Sequence, residues 1–259
     1  MSLVARGVAC GYDHKQIVGG VDFSLEPCET LCVLGPNGVG KTTLFKSLLG
    51  FLPLLAGEVE VDGACLSALS RSEIARLVAY VPQKVSVPFS YTLEEFVLMG
   101  RAPHLRLLQQ PGPEDRALVR GIIEELGIGH LEHKTCAEVS GGEMQMASIA
   151  RALAQRPRYL VMDEPTASLD FGNQARVLDR VRRLACSGIG VIMTTHDPGQ
   201  AFALDSRVVL LQRDGGARSG SCREVLTEQT LSATYGVEVW HERAVRAGRS
   251  ADCCVVPLG

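Results

Sequence analysis

Nine consecutive residues, Gly35-Pro36-Asn37-Gly38-Val39-Gly40-Lys41-Thr42-Thr43, carry the strongest chemical signal in the sequence. Their spacing, G-x-x-x-x-G-K-[ST], suits a polyphosphate. The glycines let the backbone wrap phosphate oxygens with its N–H groups, a helix start adds the positive end of a dipole, and Lys41 would set a cation on the β and γ oxygens. Thr42 can hold Mg2+ through its hydroxyl. The expectation is a site for a purine triphosphate.

Two acids follow far downstream, Asp163 and Glu164, at the end of the apolar run from Tyr159 to Met162. A buried strand that delivers Asp163 beside the loop would give Mg2+ an acidic partner, and Glu164 would be placed to polarise a water for attack on the γ phosphate. His196 closes another apolar run, Gly190 to Thr195, and its place at a strand end favours γ-phosphate contact over a structural role. Gln83 ends a third, Ala79 to Val81 and Pro82. It is either a solvated side chain or a reach toward the Mg2+ or the water, since ligands gather at the carboxyl ends of parallel strands.

A phosphate loop needs a strand running in and a helix running out. Thr30 to Leu34 reads as the strand, and Lys41 to Leu49 as the helix, closed by Gly50. Residues 3 to 34 alternate apolar and polar positions with turn signals at Gly7, Gly11, Gly19-Gly20 and Glu26-Pro27, which suggests antiparallel strands. Tyr12 in that region is either an adenine-stacking ring or a half-buried strand residue. From Lys84 to Arg156 helical patterns dominate, at Leu93 to Met99, Asp115 to Leu126 and Glu143 to Gln155, with loop-like proline-rich stretches at 102–105 and 109–113. Ser140-Gly141-Gly142, before a helix that opens on Glu143, is either a flexible N-cap or a second cluster of backbone N–H groups for an anion. The arginines of the helix from Gln174 to Leu184 read as a solvated face. A helix near Glu224 to Thr234 follows, and from Ala244 the chain reads as a polar tail.

The 259 residues suffice for a substantial core, and 46% apolar with 21% charged residues describe an ordinary globular protein. A formal charge of −3 gives no basic excess that would announce nucleic acid. The first residues lack the apolar run of a signal peptide, and uncharged stretches such as Leu184 to Thr195 fall short of the roughly 18 to 20 apolar residues of a membrane helix. The chain is expected to stay in the cytoplasm and to reach a membrane only through a partner. Nine cysteines, with no paired metal spacing, read as reduced and mostly as small buried hydrophobes. Cys28 and Cys32 make only a weak metal signal, and the vicinal Cys253-Cys254 has no account.

The ordered set G-P-N-G-V-G-K-T-T, V-P-Q, V-S-G-G-E, L-V-M-D-E-P, S-L-D and T-H-D resembles the ATP-binding-cassette (ABC) ATPases over essentially the whole chain. The resemblance implies an α/β fold, a P-loop NTPase (RecA-like) core with an N-terminal antiparallel β-subdomain and an inserted α-helical subdomain. One ABC domain would span the chain, with 1–83 and 157–243 as catalytic core, 84–156 as helical subdomain and 244–259 as C-terminal tail. It assigns Tyr12 to adenine, residues 35–43 to the phosphates, Thr42, Gln83 and Asp163 to Mg2+, Glu164 to the catalytic base and His196 to the γ-phosphate switch. Ser140, Gly141 and Gly142, with Glu143, would serve the ATP held by a second copy, and Asp170 would touch that copy. Two cassettes would close head to tail around two ATP and drive membrane permease subunits from the cytoplasmic face.

Leu93 to His104 and Leu231 to Val237 look like the importers of chelated iron, haem, cobalamin and molybdate, which implies an extracytoplasmic binding protein as an indirect partner. Val139, where the family usually has Leu, and Met146, in place of a common basic residue, are departures. A soluble ABC-type ATPase of DNA repair, iron-sulfur assembly or translation is the alternative. A single phosphate loop and the absence of sustained heptads stand against it, and a small-molecule kinase leaves S-G-G-E unexplained.

Overall fold

The computed structural model describes residues 1–84, 90–106 and 108–257. The chain opens with β1 (Leu3–Tyr12) and β2 (Lys15–Leu25), then β3 (Thr30–Leu34), α1 (Lys41–Leu48), β4 (Ala56–Val61), β5 (Ala64–Cys65), α2 (Arg71–Leu77) and β6 (Val78–Val81). Three helices follow, α3 (Leu93–Leu98), α4 (Pro113–Glu125) and α5 (Gly141–Leu153). Then come β7 (Tyr159–Met162), α6 (Phe171–Cys186), β8 (Gly190–Thr194), α7 (Pro198–Ala203), β9 (Arg207–Leu211) and β10 (Ala217–Ser221). The chain ends with α8 (Cys222–Val225), α9 (Glu228–Tyr235), β11 (Trp240–Arg246) and β12 (Arg249–Val255).

The central sheet has the order β10-β9-β3-β8-β7-β6, parallel except for the edge strand β10. Its five parallel strands are largely apolar runs because both faces are covered. Alternate residues part to opposite cores: Cys32, Leu34, Leu160 and Met162 pack with the helices α3 to α7, whereas Leu31, Val33, Tyr159 and Val161 pack against α1 and the N-terminal strands. Those strands form an antiparallel sheet of order β2-β1-β4-β5. Because the five parallel strands share one direction, their carboxyl ends put the phosphate loop, Gln83, Asp163 and Thr195 at one edge.

Local chemistry sets the helix starts. Ser70, Thr92, Ser140 and Ser221 each close a reciprocal capping box with the glutamate three residues on, and Asp170 caps α6. Two stretches depart from the sequence expectation. Residues 102–105 are not simply loop, because Met99–His104 is a 3-10 helix, pinned by Arg101 to Asp115 at 2.7 Å and to the Ala154 carbonyl at 2.7 Å. The helix expected near Glu224 to Thr234 is two, since Thr227 interrupts it and caps α9.

The polar tail from Ala244 is corrected as well: β11 and β12 pair antiparallel from Trp240↔Val255 to Arg246↔Arg249. Self-pairing satisfies the backbone, and the hairpin lays His241 on Phe202 of α7 with ring centroids 4.7 Å apart. All nine cysteines are free thiols. Cys32 is fully buried, which pushes its thiol up to about 12, whereas Cys28 lies exposed at the turn before β3. Neighbouring positions on β12 point Cys253 and Cys254 to opposite faces of the hairpin.

Candidate active site

The phosphate loop leaves β3 and delivers Lys41 as the first residue of α1. Gly40 turns at φ +112, and a Cβ there would fall 2.4 Å from Val18 and 2.8 Å from Ile17. Only glycine lets α1 start this close to β2. Lys41 is buried, and its Nζ donates to the Gly35 carbonyl at 2.9 Å and the Pro36 carbonyl at 3.3 Å.

Asp163 and Glu164 come from the end of β7, two strands away. Asp163 is 4% exposed and accepts from Thr42 Oγ1 at 2.9 Å and from Thr194 Oγ1 at 2.7 Å. The Tyr80 hydroxyl donates to it at 3.5 Å, and burial together with this carboxylate pushes the phenol up to about 12. Glu164 adopts φ 44, a left-handed conformation that turns its side chain back over the loop. Its backbone N–H donates to Thr194 Oγ1 at 2.7 Å. One carboxylate oxygen stands 3.6 Å from Lys41 Nζ, and the other accepts from Gln83 Nε2 at 2.8 Å.

These groups border a cavity of about 390 Å3 lined by Ile17, Asn37, Gly38, Gly40, Lys41, Thr42, Thr43, Gln83 and Glu164. Lys41 and the loop backbone face the Glu164 carboxylate across it, with Asp163 behind Thr42, a balance that a polyanion carrying a divalent cation would complete. Thr42, Asp163 and Gln83 offer hard oxygen donors, the set Mg2+ prefers.

Other residues named from sequence lie elsewhere. Tyr12, at the end of β1, is 42% exposed and takes a 3.5 Å hydrogen bond from Lys46 Nζ, away from the cavity lining. His196 is exposed beyond β8 and does not line the cavity, while its neighbour Thr195 is buried and bonds Gln200 at 2.9 Å. Ser140 caps α5, where its N–H donates to Glu143 Oε2 at 2.7 Å, and this bond holds the Glu143 carboxyl below its ordinary range. Asp170 is held by Asn173, whose backbone and side-chain nitrogens donate to it at 2.8 Å each. A Cβ on Gly142 would fall 2.9 Å from the Asn173 side chain. The S-G-G start and Asp170 therefore form one unit, joined through Asn173 and apart from the cavity of their own chain.

Three contributors escaped the sequence reading. Thr194 bridges Asp163 and the Glu164 N–H, Tyr80 backs Asp163, and Ile17 walls the cavity. Thr194 had a signal, a hydroxyl at the end of an otherwise apolar buried run; Ile17 and Tyr80 had none.

A family model described as "ABC transporter" matches residues 18–167. An ABC transporter ATP-binding protein of Haemophilus influenzae is 41% identical over 235 residues, covering 91% of this chain and 89% of its own length. The hemin import ATP-binding protein HmuV of Myxococcus xanthus is 34% identical over 246 residues, covering 92% and 91%. A solved structure of a metal-chelate type ABC transporter in an inward-facing conformation superposes with a TM-score of 0.90 at 29% identity, over 99% of this chain and 98% of that one. With the P-loop site at the sheet edge, these likenesses establish that the chain belongs to the ABC transporter ATP-binding family, whose subunits hydrolyse ATP to power transport.

Proposed function

We propose that the protein is the ATP-hydrolysing subunit of an importer for haem or another metal chelate. Two copies close around two ATP and drive a membrane permease from its cytoplasmic face. The observation that supports the pairing is the separation within one chain of two groups of residues suited to phosphate. Lys41, Thr42, Glu164 and Gln83 line one cavity, with Asp163 behind Thr42, while the Ser140-Gly141-Gly142 start of α5 and Asp170 lie apart from it. A second copy turned head to tail supplies to each cavity what its own chain holds apart. The cargo class is supported by the relatives described as hemin import proteins and by the neighbour of metal-chelate type.

In this reading Lys41 exchanges the Gly35 and Pro36 carbonyls and the Glu164 carboxylate for β- and γ-phosphate oxygens. Thr42 and Asp163 would hold Mg2+, which would supply charge neutralisation at those oxygens. Glu164, oriented by Gln83, accepts the proton of the attacking water; the water oxygen bonds to the γ phosphorus as the bridge to the β phosphate breaks, leaving ADP and phosphate. His196 approaches the γ phosphate when the copies close, and Tyr12 flanks the adenine. Loss of the γ phosphate removes the contact between the copies, so closure and opening become a stroke passed to the permease.

Co-purification from detergent-solubilised membranes of the native cell tests the assignment. A polytopic permease, together with stimulation of ATPase activity by a haem- or chelate-loaded binding protein, supports it. Recovery of soluble partners alone contradicts it.

A further inference from the structure

Beyond the ends of β7 and β8, outside the cavity lining, three polar side chains meet in the interior. Gln200, on α7, is 6% exposed, and its Oε1 accepts two hydroxyls, Thr166 Oγ1 at 3.1 Å and Thr195 Oγ1 at 2.9 Å. Both threonines are buried too. They come from different strand ends, Thr166 from the turn after β7 and Thr195 from the residue that follows β8. None of the three leaves a sealed side-chain oxygen or nitrogen unpaired.

Each hydroxyl stands next to a group of the site. Thr166 lies inside the turn that the Ala167 N–H closes onto the Glu164 carbonyl at 3.0 Å. Glu164 itself is left-handed, at φ 44, and a backbone conformation of that kind persists only where its surroundings over-determine it. Thr194 Oγ1 holds the amide side of Glu164 at 2.7 Å, and Thr166 anchors the turn on its carbonyl side. Gln174 of α6 donates to the Thr166 carbonyl at 3.4 Å and to the Leu169 carbonyl at 3.1 Å, so the stretch that runs on to Asp170 is strapped as well.

On the other strand, Thr195 comes directly before His196 and accepts from the Asp197 N–H at 3.1 Å, so one bond spans the histidine. Asp197 in turn caps α7 by accepting from the Gly199 N–H at 2.8 Å. Gln200 therefore sits where the turn that carries Glu164 and the segment that carries His196 are closest to one shared atom.

Apolar side chains of similar size would fill this space without burying polar groups. A buried and bonded polar network instead selects one arrangement of the segments that meet in it. Here the arrangement selected is that of Glu164 relative to His196. We propose that Gln200 is a positioning residue for hydrolysis, its single carbonyl oxygen locking the turn that aims Glu164 to the segment that bears His196, so that both reach a γ phosphate as one unit. This rests on the reading of Glu164 as the base and of His196 as the γ-phosphate contact.

The test uses variants of the full chain, measured by steady-state ATPase kinetics, calorimetric titration with MgATP and thermal melting. Gln200→Met keeps the length of the side chain and removes the acceptor; kcat should fall about 5- to 20-fold, with MgATP affinity within about two-fold. Thr166→Val removes one of the two hydroxyls and keeps the shape, and kcat should fall about 3- to 10-fold, again without loss of affinity. Gln200→Glu keeps the acceptor oxygen but buries a charge, so it should melt at a lower temperature and yet hold kcat within about three-fold. Ser206→Ala is the contrast: its buried hydroxyl donates to the Ala201 carbonyl of the same helix at 3.2 Å, so its loss should lower the melting temperature and leave kcat unchanged. Normal turnover in Gln200→Met or Thr166→Val overturns the proposal, and so does turnover that merely follows melting temperature across the four variants. Unaltered hydrolysis by Glu164→Gln would refute the reading of the base itself, a result distinct from either.

Discussion

The side-chain amide of Gln83 donates to Glu164 at 2.8 Å, while the other oxygen of that carboxylate faces Lys41 at 3.6 Å. Gln83 reaches it from β6 and Lys41 from α1, so the carboxylate is aimed by two elements that themselves hold the nucleotide cavity. Gln83→Ala should leave MgATP affinity within about two-fold and lower kcat about ten-fold, because orientation of the base is lost without loss of charge. Gln83→Glu, which sets a like charge against Glu164, should lower kcat further.

Lys41 supplies the buried cation of the cavity. Lys41→Ala should abolish the ATP-induced rise in melting temperature, with an affinity loss of about 100-fold or more from the missing charge-assisted contacts. Unchanged affinity by calorimetric titration would remove residues 35–43 from the nucleotide site.

Thr194 serves two partners from a fully buried position, donating to Asp163 at 2.7 Å and accepting from the Glu164 N–H at 2.7 Å. Thr194→Val keeps the shape and strands both partners. Urea unfolding should show a loss of about 1 to 3 kcal/mol, and hydrolysis should fall because Glu164 loses the bond that fixes its turn.

Those contacts divide what could be read in sequence from what could not. The phosphate loop is legible because its chemistry lies within nine adjacent residues between a strand and a helix pattern, and the acids are legible because they end an apolar run. Thr194, Tyr80 and Ile17 matter through contacts that join distant parts of the chain, which no local spacing reports. The C-terminal hairpin was hidden for another reason. Both faces of β11 are largely polar and exposed, so the period-two pattern that marks a half-buried strand is missing, and only His241 turns to the body of the protein.

Glutamates bonded to a serine or threonine three residues back give the fold an acid limit. Glu73, Glu138, Glu143 and Glu224 all lie below their ordinary value of 4.5, through hydrogen bonds to Ser70, Thr135, Ser140 and Ser221 respectively. A carboxylate held lower in the folded state contributes stability that is complete above pH 4.5 and lost as the pH falls through the folded value. Melting temperature should therefore be flat from pH 7 to about 5 and fall below that. Glu143→Gln should make the acid limb shallower, and an unchanged limb would mean that its cap bonds add no proton linkage.

The most direct test of the central claim is the size of Glu164→Gln in solution, measured by light scattering with and without MgATP, alongside its rate of phosphate release. A protein that hydrolyses ATP through Glu164 and pairs head to tail around it should release phosphate at least about 100-fold more slowly. It should also shift from monomer to dimer when MgATP is added. A variant that turns over ATP normally and stays monomeric would contradict both the role of Glu164 and the paired cavity.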